Sequence, residues 1–419
     1  MITDILYRCP QCGTFDWLSD DTCKSCGAYL ELISRTDVAI NGDSQPIAYW
    51  YDKVIAFDLP KREKASILES KRVRLSEEAA RGKFKGFAGV TATHYTRKPI
   101  DEGVLYLSED RLVFSGDAGQ LTIPVEAITS LTIESDTIIV VSRGRVPLFF
   151  DFLEESGKKW EDCMRKVLAG YYQGEIIEYY PRIRLARDFF KPPRPAKGHL
   201  TLKVPVHRWY REDSSLIFAI IKKILRTLIG ILIPVRIEGL ENIPETGPAV
   251  VLPNHCSFLD SIILGCFSKR NIWFMAKNSE YKTPIHKYLL SLARSFPVRR
   301  YTMDVVAVRN AVRIVQERHV LGIFLEGERC WDNRLLPFKL GTIRLLLALG
   351  SPVIPVGIAG AYALMPRWTS TIKRVPVTIR IGAPISLGHV PIPAQTRMDV
   401  EMASEKLRRS IQQLLEATP

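Results

Sequence analysis

Residues Leu216 to Ile233 form the most apolar run of the chain, interrupted only by Lys222, Lys223, Arg226, Thr227 and Gly230. At helical spacing the three cations fall within roughly 100° of one another, and the rest of the circumference is aliphatic or Phe. A spanning helix would bury those cations at about 2.5–3.5 kcal/mol each. A helix lying in the membrane interface keeps them wet and sinks its apolar arc. A helix packed on a neighbouring domain is the third reading. The interfacial reading is the expectation, over residues 214–234, with Ser214 or Ser215 as N-cap and Pro234 as terminator. The formal net charge of +13 supports it, because many of the cations precede this helix. A basic stretch beside an apolar helix suits an anionic lipid surface, and no nucleic acid is expected. The segment before it, including FFKPPRPAKGHL, is too proline-rich for helix or central strand and reads as a basic linker over 176–213.

Four of the eight cysteines lie in the first 26 residues. Cys9, Cys12, Cys23 and Cys26 form two CxxCG knuckles, with Gly13 and Gly27 easing the turns. Four thiolates in close pairs suit a tetrahedral structural Zn²⁺, and iron accepts the same set. Two redox dithiols or a chance cluster are the alternatives. Residues 1–35 are therefore expected to be a zinc-ribbon-like module, too small for a core and stabilised by its metal. The scattered Cys163, Cys256, Cys266 and Cys330 indicate reduced thiols rather than a disulfide framework. The N-terminus, MITDILYRCPQC, does not have the form of a signal peptide. The expected location is the cytoplasmic face of the cell membrane, peripheral or monotopic.

Residues 49–175 read as a β-rich unit. GVLYLSEDRLVFSG (Gly103–Gly116) predicts two strands about a polar turn, and Leu121–Ile133 and the segments after it continue the strands. Ala79–Tyr95 reads as a polar loop. Leu153–Tyr172 has helical periodicity and should cap the sheet. A run of hairpins closed by one helix resembles pleckstrin-homology and GRAM domains, which implies lipid or partner binding; a spacer domain is the plain alternative.

From about residue 235 the pattern becomes α/β. Ala249–Leu252 is an apolar strand ending in Asn254 and His255, with a helix expected over Ser257–Cys266. A strand-to-helix switch is where open α/β sheets place their chemistry. Asp260 lies near the start of that helix, within reach of one imidazole nitrogen. The other nitrogen could then accept a proton, as a general base does. Taken alone, this spacing also suits a purely structural His–Asp pair. Further elements are a helix over Val305–Val315, a strand over Val320–Glu326, a helix over Leu340–Leu349, strands at Val353–Gly357 and Pro376–Ile385, and a closing amphipathic helix over Met398–Leu415.

NHCSFLD (Asn254–Asp260), FPVRR (Phe296–Arg300), FLEGER (Phe324–Arg329), FKLG (Phe338–Gly341) and VIPVG (Val353–Gly357) resemble, in order, motifs of the lysophosphatidic acid acyltransferases, the PlsC-type glycerolipid acyltransferases. The resemblance covers residues 235–417. It implies an α/β acyltransferase domain with a central mixed sheet, here preceded by the zinc ribbon and the PH-like β domain. It implies His255 as general base and Asp260 as its orienting partner. Arg300 and Arg329 would grip an acceptor phosphate, Glu326 and Gly327 would shape that site, and Lys277 would line the same cleft. The donor would be acyl-CoA or acyl-carrier protein, with no catalytic cofactor and no need for Cys256 as nucleophile. The acceptor would be a lysophospholipid such as 1-acyl-glycerol 3-phosphate. Three positions depart from the pattern: Leu325 for Pro, Glu328 for Thr or Ser, and Arg294 for Gly. Glu328 would repel a phosphate unless a cation offsets it. That leaves open another glycerolipid, an aminolipid or a glycolipid acceptor, or a membrane adaptor without activity.

Overall fold

The computed structural model describes residues 1–59, 66–85, 91–172, 216–281, 283–302 and 304–417. The linker over 176–213 and the expected cap at Ser214 or Ser215 lie outside the described residues.

The N-terminal hairpin of β1 (Leu18–Ser19) and β2 (Thr22–Cys23) is followed by an antiparallel sheet of β3 (Leu30–Leu32), β4 (Asp37–Ile40) and β5 (Asp43–Pro46), then by α1 (Ile47–Ala56). Trp17 and Trp50 are buried, and their indoles donate to the carbonyls of Leu6 (2.7 Å) and Val38 (2.8 Å). The sequence suggests a module without a core. The structure differs: Ile5, Leu6, Trp17, Val38 and Trp50 form apolar packing continuous with the C-terminal domain. Residues beyond 35 supply the missing apolar surface.

β6 (Leu68–Glu69) leads into the second sheet: β7 (Val73–Lys85), β8 (Thr91–Leu107), β9 (Arg111–Gly116), β10 (Gly119–Pro124), β11 (Ile128–Glu134), β12 (Thr137–Ser142) and β13 (Leu148–Phe152). All neighbours are antiparallel, in the order β10-β9-β8-β7-β13-β12-β11, and β6 pairs with β8. α2 (Gly157–Tyr171), N-capped by the Ser156 hydroxyl, buries Trp160, Met164, Val167 and Leu168 on this sheet. The loop expected over Ala79–Tyr95 is instead part of a long hairpin. Ala79 pairs with Thr96 and Ala80 with Tyr95. Part of what holds it is distant in sequence. The Tyr95 carbonyl accepts from Asn278 Nδ2 (3.1 Å), and Glu78 accepts from Arg299 (3.2 Å) and from the Tyr301 hydroxyl.

α3 (Leu216–Leu232) precedes the third sheet: β14 (Val235–Glu238), β15 (Ala249–Pro253), β16 (Ile272–Lys277), β17 (Ser295–Val298), β18 (Val320–Gly322), β19 (Val353–Ala359) and β20 (Val377–Ile381). The order is β14-β20-β19-β15-β18-β16-β17, parallel throughout except for β19 against β20. It is the expected mixed sheet, with β15 at its centre. Its helices are α4 (Asp260–Phe267), α5 (Pro284–Leu292), α6 (Val305–Gln316), α7 (Leu340–Leu349), α8 (Ala361–Leu364) and α9 (Arg397–Glu416). The strand expected to reach Glu326 ends at Gly322, because the chain must turn at Glu326–Gly327, where Gly327 has φ +74°. No helix among the described residues is long and apolar enough to cross a membrane.

The cationic stripe of α3 is not wholly wet. Lys222 Nζ donates to the Ser268 carbonyl at the C-terminus of α4 (2.8 Å), and Arg226 lies over the Phe267 ring at 5.2 Å. A cation at a helix C-terminus meets its unsatisfied carbonyls and the negative end of its dipole. Lys222 packs against protein while Lys223 and Arg226 stay exposed, and Ile220, Ile224, Leu228, Ile231 and Leu232 face outward, each between 49 and 64% exposed.

Candidate active site

The C-terminal end of β15 delivers His255, and the neighbouring side chains fix its position. Asn254 extends the strand pairing with its amide: Oδ1 accepts from Ile358 N (2.7 Å) and Nδ2 donates to Ile358 O (3.1 Å). Beyond His255 the chain folds around Asp260, which is fully buried. Asp260 Oδ2 accepts from the backbone N–H groups of Cys256 (2.7 Å) and Ser257 (2.8 Å), and lies 2.9 Å from His255 Nδ1. An acceptor oxygen already serving two donors assigns the proton to Nδ1. Nε2 is left as the basic nitrogen of a residue that lines the cleft. Phe324 stacks on the imidazole at 3.9 Å between centroids. Burial lowers the His255 pKa below its ordinary value against the opposing pull of Asp260, and Arg300 and Arg329 lower it further. The ring is thus held neutral at neutral pH.

Glu326 touches His255 from beneath. Its Oε1 accepts from His255 N (2.7 Å) and its Oε2 from Leu336 N (2.8 Å), while burial raises its pKa to about 8. Glu326 therefore braces the site through the backbone, whereas Gly327 lines the cleft itself. A Cβ at Gly327 would come within 3.1 Å of the Lys339 side chain, in a backbone conformation few other residues adopt. Leu325, standing for the usual Pro, is buried in the domain core.

The cleft has a volume of about 510 Å³ and brings together His255, Lys277, Arg300, Gly327 and Arg329. Among the described residues neither Arg300 nor Arg329 makes a hydrogen bond or ion pair through its guanidinium, and burial lowers the pKa of both. The nearest carboxylates, Glu134 and Glu328 for Arg300 and Asp260 and Glu280 for Arg329, act on them only at longer range. The adjacent Arg299 serves elsewhere, bound by Glu78 and stacked 4.1 Å from the Tyr95 ring. Lys277 is already paired, 2.8 Å from Glu134 of the second sheet. Glu328 lies 2.6 Å from Arg367 Nη1, both side chains largely buried. Arg367 also donates to the carbonyls of Arg329 (3.0 Å) and Ile133 (3.3 Å). The carboxylate expected to conflict with a phosphate is thus neutralised by a residue outside every motif. Arg294, where a Gly is usual, has φ +55°, a left-handed conformation; its guanidinium lies over Phe218 (4.8 Å) and Trp273 (5.3 Å).

Cys256 points away from this chemistry. Its thiol lies 3.0 Å from Cys330 Sγ in the core, and the Cys330 contact and burial push its pKa well above the ordinary thiol value. A thiol so held is a poor nucleophile.

The mouth of the cleft is framed by Leu225 of α3, Phe258 and Leu289 of α5. Each is between 39 and 52% exposed, continuous with the outward face of α3.

At the N-terminus, the Sγ atoms of Cys9 and Cys26, and of Cys12 and Cys23, lie 3.7 Å apart, and all four lie within 4.8 Å of one another. A tetrahedral ion with metal–sulfur bonds of about 2.3 Å spaces its sulfurs by roughly 3.8 Å. The set fits such an ion, and Gly13 and Gly27 take φ +77° and +72° behind the knuckles.

Sequence reasoning missed Asn254, Arg367 and Glu134. Asn254 stood inside a quoted motif, but its amide pairing is invisible without the neighbouring strand. Arg367 and Glu134 carry no local signal.

Residues 234–359 match the family model described as Acyltransferase. A 1-acyl-sn-glycerol-3-phosphate acyltransferase of Limnanthes douglasii is 29% identical over 157 residues, 37% of this chain and 55% of that protein. One from Bacillus subtilis is 21% identical over 188 residues, 44% of this chain and 92% of that protein. This chain spans about half the length of the Limnanthes relative. A solved structure, the lysophosphatidic acid acyltransferase of Thermotoga maritima, aligns with a TM-score of 0.41 and 26% identity, over 48% of this chain and 81% of that one. The C-terminal domain of this chain is an acyltransferase-family domain, related to the lysophosphatidic acid acyltransferases.

Proposed function

We propose that the protein transfers an acyl group from the thioester of acyl-CoA or acyl-carrier protein to the free hydroxyl of a lysophospholipid such as 1-acyl-glycerol 3-phosphate. The carrying observation is the meeting of three groups in one cleft: a neutral, oriented imidazole and two guanidinium groups without ion-pair partners among the described residues. Arg300 and Arg329 hold the acceptor phosphate as planar forks. His255 Nε2 takes the acceptor hydroxyl proton while the oxygen attacks the thioester carbonyl. The carbon–sulfur bond then breaks, and the departing thiolate takes the proton back from the imidazolium. Asp260 keeps the ring in the required tautomer, Glu326 fixes its backbone, and Gly327 lets the chain pass close to the head group. Lys277 contributes charge to the same wall.

In this reading the apolar faces of α3 and α5 and the exposed Phe258 rest in a membrane at its cytoplasmic face, with the cleft mouth opening among the acyl chains. The basic segments outside the helix favour anionic lipid. The PH-like sheet contributes to lipid or partner contact. Cys9, Cys12, Cys23 and Cys26 hold a structural Zn²⁺, which closes the knuckles and takes no part in the transfer.

The test is incubation of the purified chain with a labelled acyl-CoA and lysolipid acceptors. The His255→Ala protein should lose roughly 10²–10⁴ in turnover, the usual share of a general base, with its melting temperature near that of the wild type. Undiminished turnover would refute the reading.

A further inference from the structure

The second sheet enters the active site. The β11–β12 turn lines the cleft through Thr132 to Ser135, and Glu134, the last residue of β11, turns its carboxylate onto Lys277 at 2.8 Å. Arg97 of the same sheet holds that carboxylate from behind at 3.4 Å. The turn is fixed from both sides. Ser135 takes a left-handed backbone with φ +58°, and Arg367 grips the Ile133 carbonyl. The Glu134 side chain is only 6% exposed.

This geometry divides the charges of the cleft unevenly. Glu328 pairs with Arg367 and Glu134 with Lys277, while Arg300 and Arg329 have no carboxylate at ion-pair distance among the described residues and feel Glu134, Glu328, Glu280 and Asp260 only at longer range. Two guanidinium groups can accept one phosphate. A dianionic phosphate monoester gains from a third cation, yet reaching Lys277 means approaching the Glu134 carboxylate, which repels it. A phosphate diester bearing an ammonium carries one negative charge less and brings a cation that the carboxylate attracts.

We propose that Glu134, supplied by the PH-like sheet, is an acceptor-selecting residue that shifts preference away from a phosphate monoester and towards a zwitterionic lysophospholipid. It acts partly through Lys277, whose charge it withholds from the head group. The proposal rests on the reading of the cleft as a lysophospholipid site, and its test separates the two.

The full chain and its Glu134→Gln variant are compared with two acceptors of equal acyl length, a monoacylglycerol 3-phosphate and a monoacyl glycerophosphoethanolamine. Calorimetry gives Kd, and turnover with one acyl-CoA gives kcat and KM. The variant is expected to favour the monoester by roughly tenfold in the ratio of the two Kd values, with the change in KM and little in kcat. In a Lys277→Met background the same substitution should shift the ratio less. An unchanged ratio, a shift towards the zwitterion, or equal losses for both acceptors with a lowered melting temperature would overturn the selecting role. A shifted Kd ratio without product from either acceptor would overturn the transfer reading and leave Glu134 as a selector of bound lipid.

Discussion

Replacing Arg367 tests whether Glu328 is tolerated in the cleft because it is paired. The two side chains are 6% and 14% exposed and meet at 2.6 Å. Removing one partner of a buried pair costs about 3–5 kcal/mol, because the remaining charge has lost its counter-ion. Here the loss should lie near the lower figure, since Glu328 opens onto the cleft and can be partly rehydrated. Arg367→Met would leave the carboxylate beside Arg329 and in the path of an acceptor phosphate. If only about 1.4 kcal/mol of the loss falls on acceptor binding, KM rises tenfold. The rest should appear as a lower melting temperature, because the bond to the Ile133 carbonyl also disappears. Glu328→Thr restores the residue usual in the motif and removes the charge at fault. In that background Arg367→Met should cost much less in KM. Acceptor titrations on the four proteins of the cycle give the coupling directly. An equal penalty for Arg367→Met whether Glu328 is present or replaced would sink the pairing argument.

The acidic limb of kcat/KM should have its midpoint below the roughly 6.5 of an ordinary imidazole. Burial lowers the His255 pKa, and activity is lost only as pH falls through that lowered value and the ring gains a proton; a midpoint at or above the ordinary value would contradict the assignment. Replacing Ile224, Leu228 and Ile231 with Ser should weaken binding to anionic liposomes by roughly tenfold or more, by loss of buried apolar area. Lys222→Ser, which loses the bond to the Ser268 carbonyl, should instead lower the melting temperature. Liposome binding indifferent to the three apolar changes would remove α3 from the membrane. Elemental analysis should find one zinc per chain, and Cys9→Ser should lower that content and loosen the N-terminal module; a full complement in the variant would exclude the four-thiol site.

What the sequence disclosed follows the range of each interaction. His255 and Asp260 are five residues apart, so one turn of chain places them together and their pairing could be anticipated. Arg300 and Arg329 follow different strands, and only the family resemblance linked them to His255. The mixed sheet was legible because its strands are short apolar runs separated by helical periods. The β7–β8 hairpin was not, because its arms are polar and are held by Asn278, Arg299 and Tyr301 of another domain. The amphipathic character of α3 was plain, but periodicity does not say which face meets protein. The Ser268 carbonyl that follows α4 decides it for Lys222.

The charges that distinguish this cleft lie outside the stretch the family model matches. Glu134 precedes residue 234 and Arg367 follows residue 359, yet each is paired with a residue inside that stretch, Lys277 or Glu328. Their positions also join the two sheets, since Arg367 binds both the Glu328 carboxylate and the Ile133 carbonyl. Any displacement of the β11–β12 turn would therefore expose the Lys277 charge and loosen the cation that neutralises Glu328. The second sheet is thus built into the cleft wall through the β11–β12 turn. The charge pattern of the cleft is divided between the domains, because Glu134 of the second sheet pairs with Lys277 and the Ile133 carbonyl of the same turn accepts from Arg367.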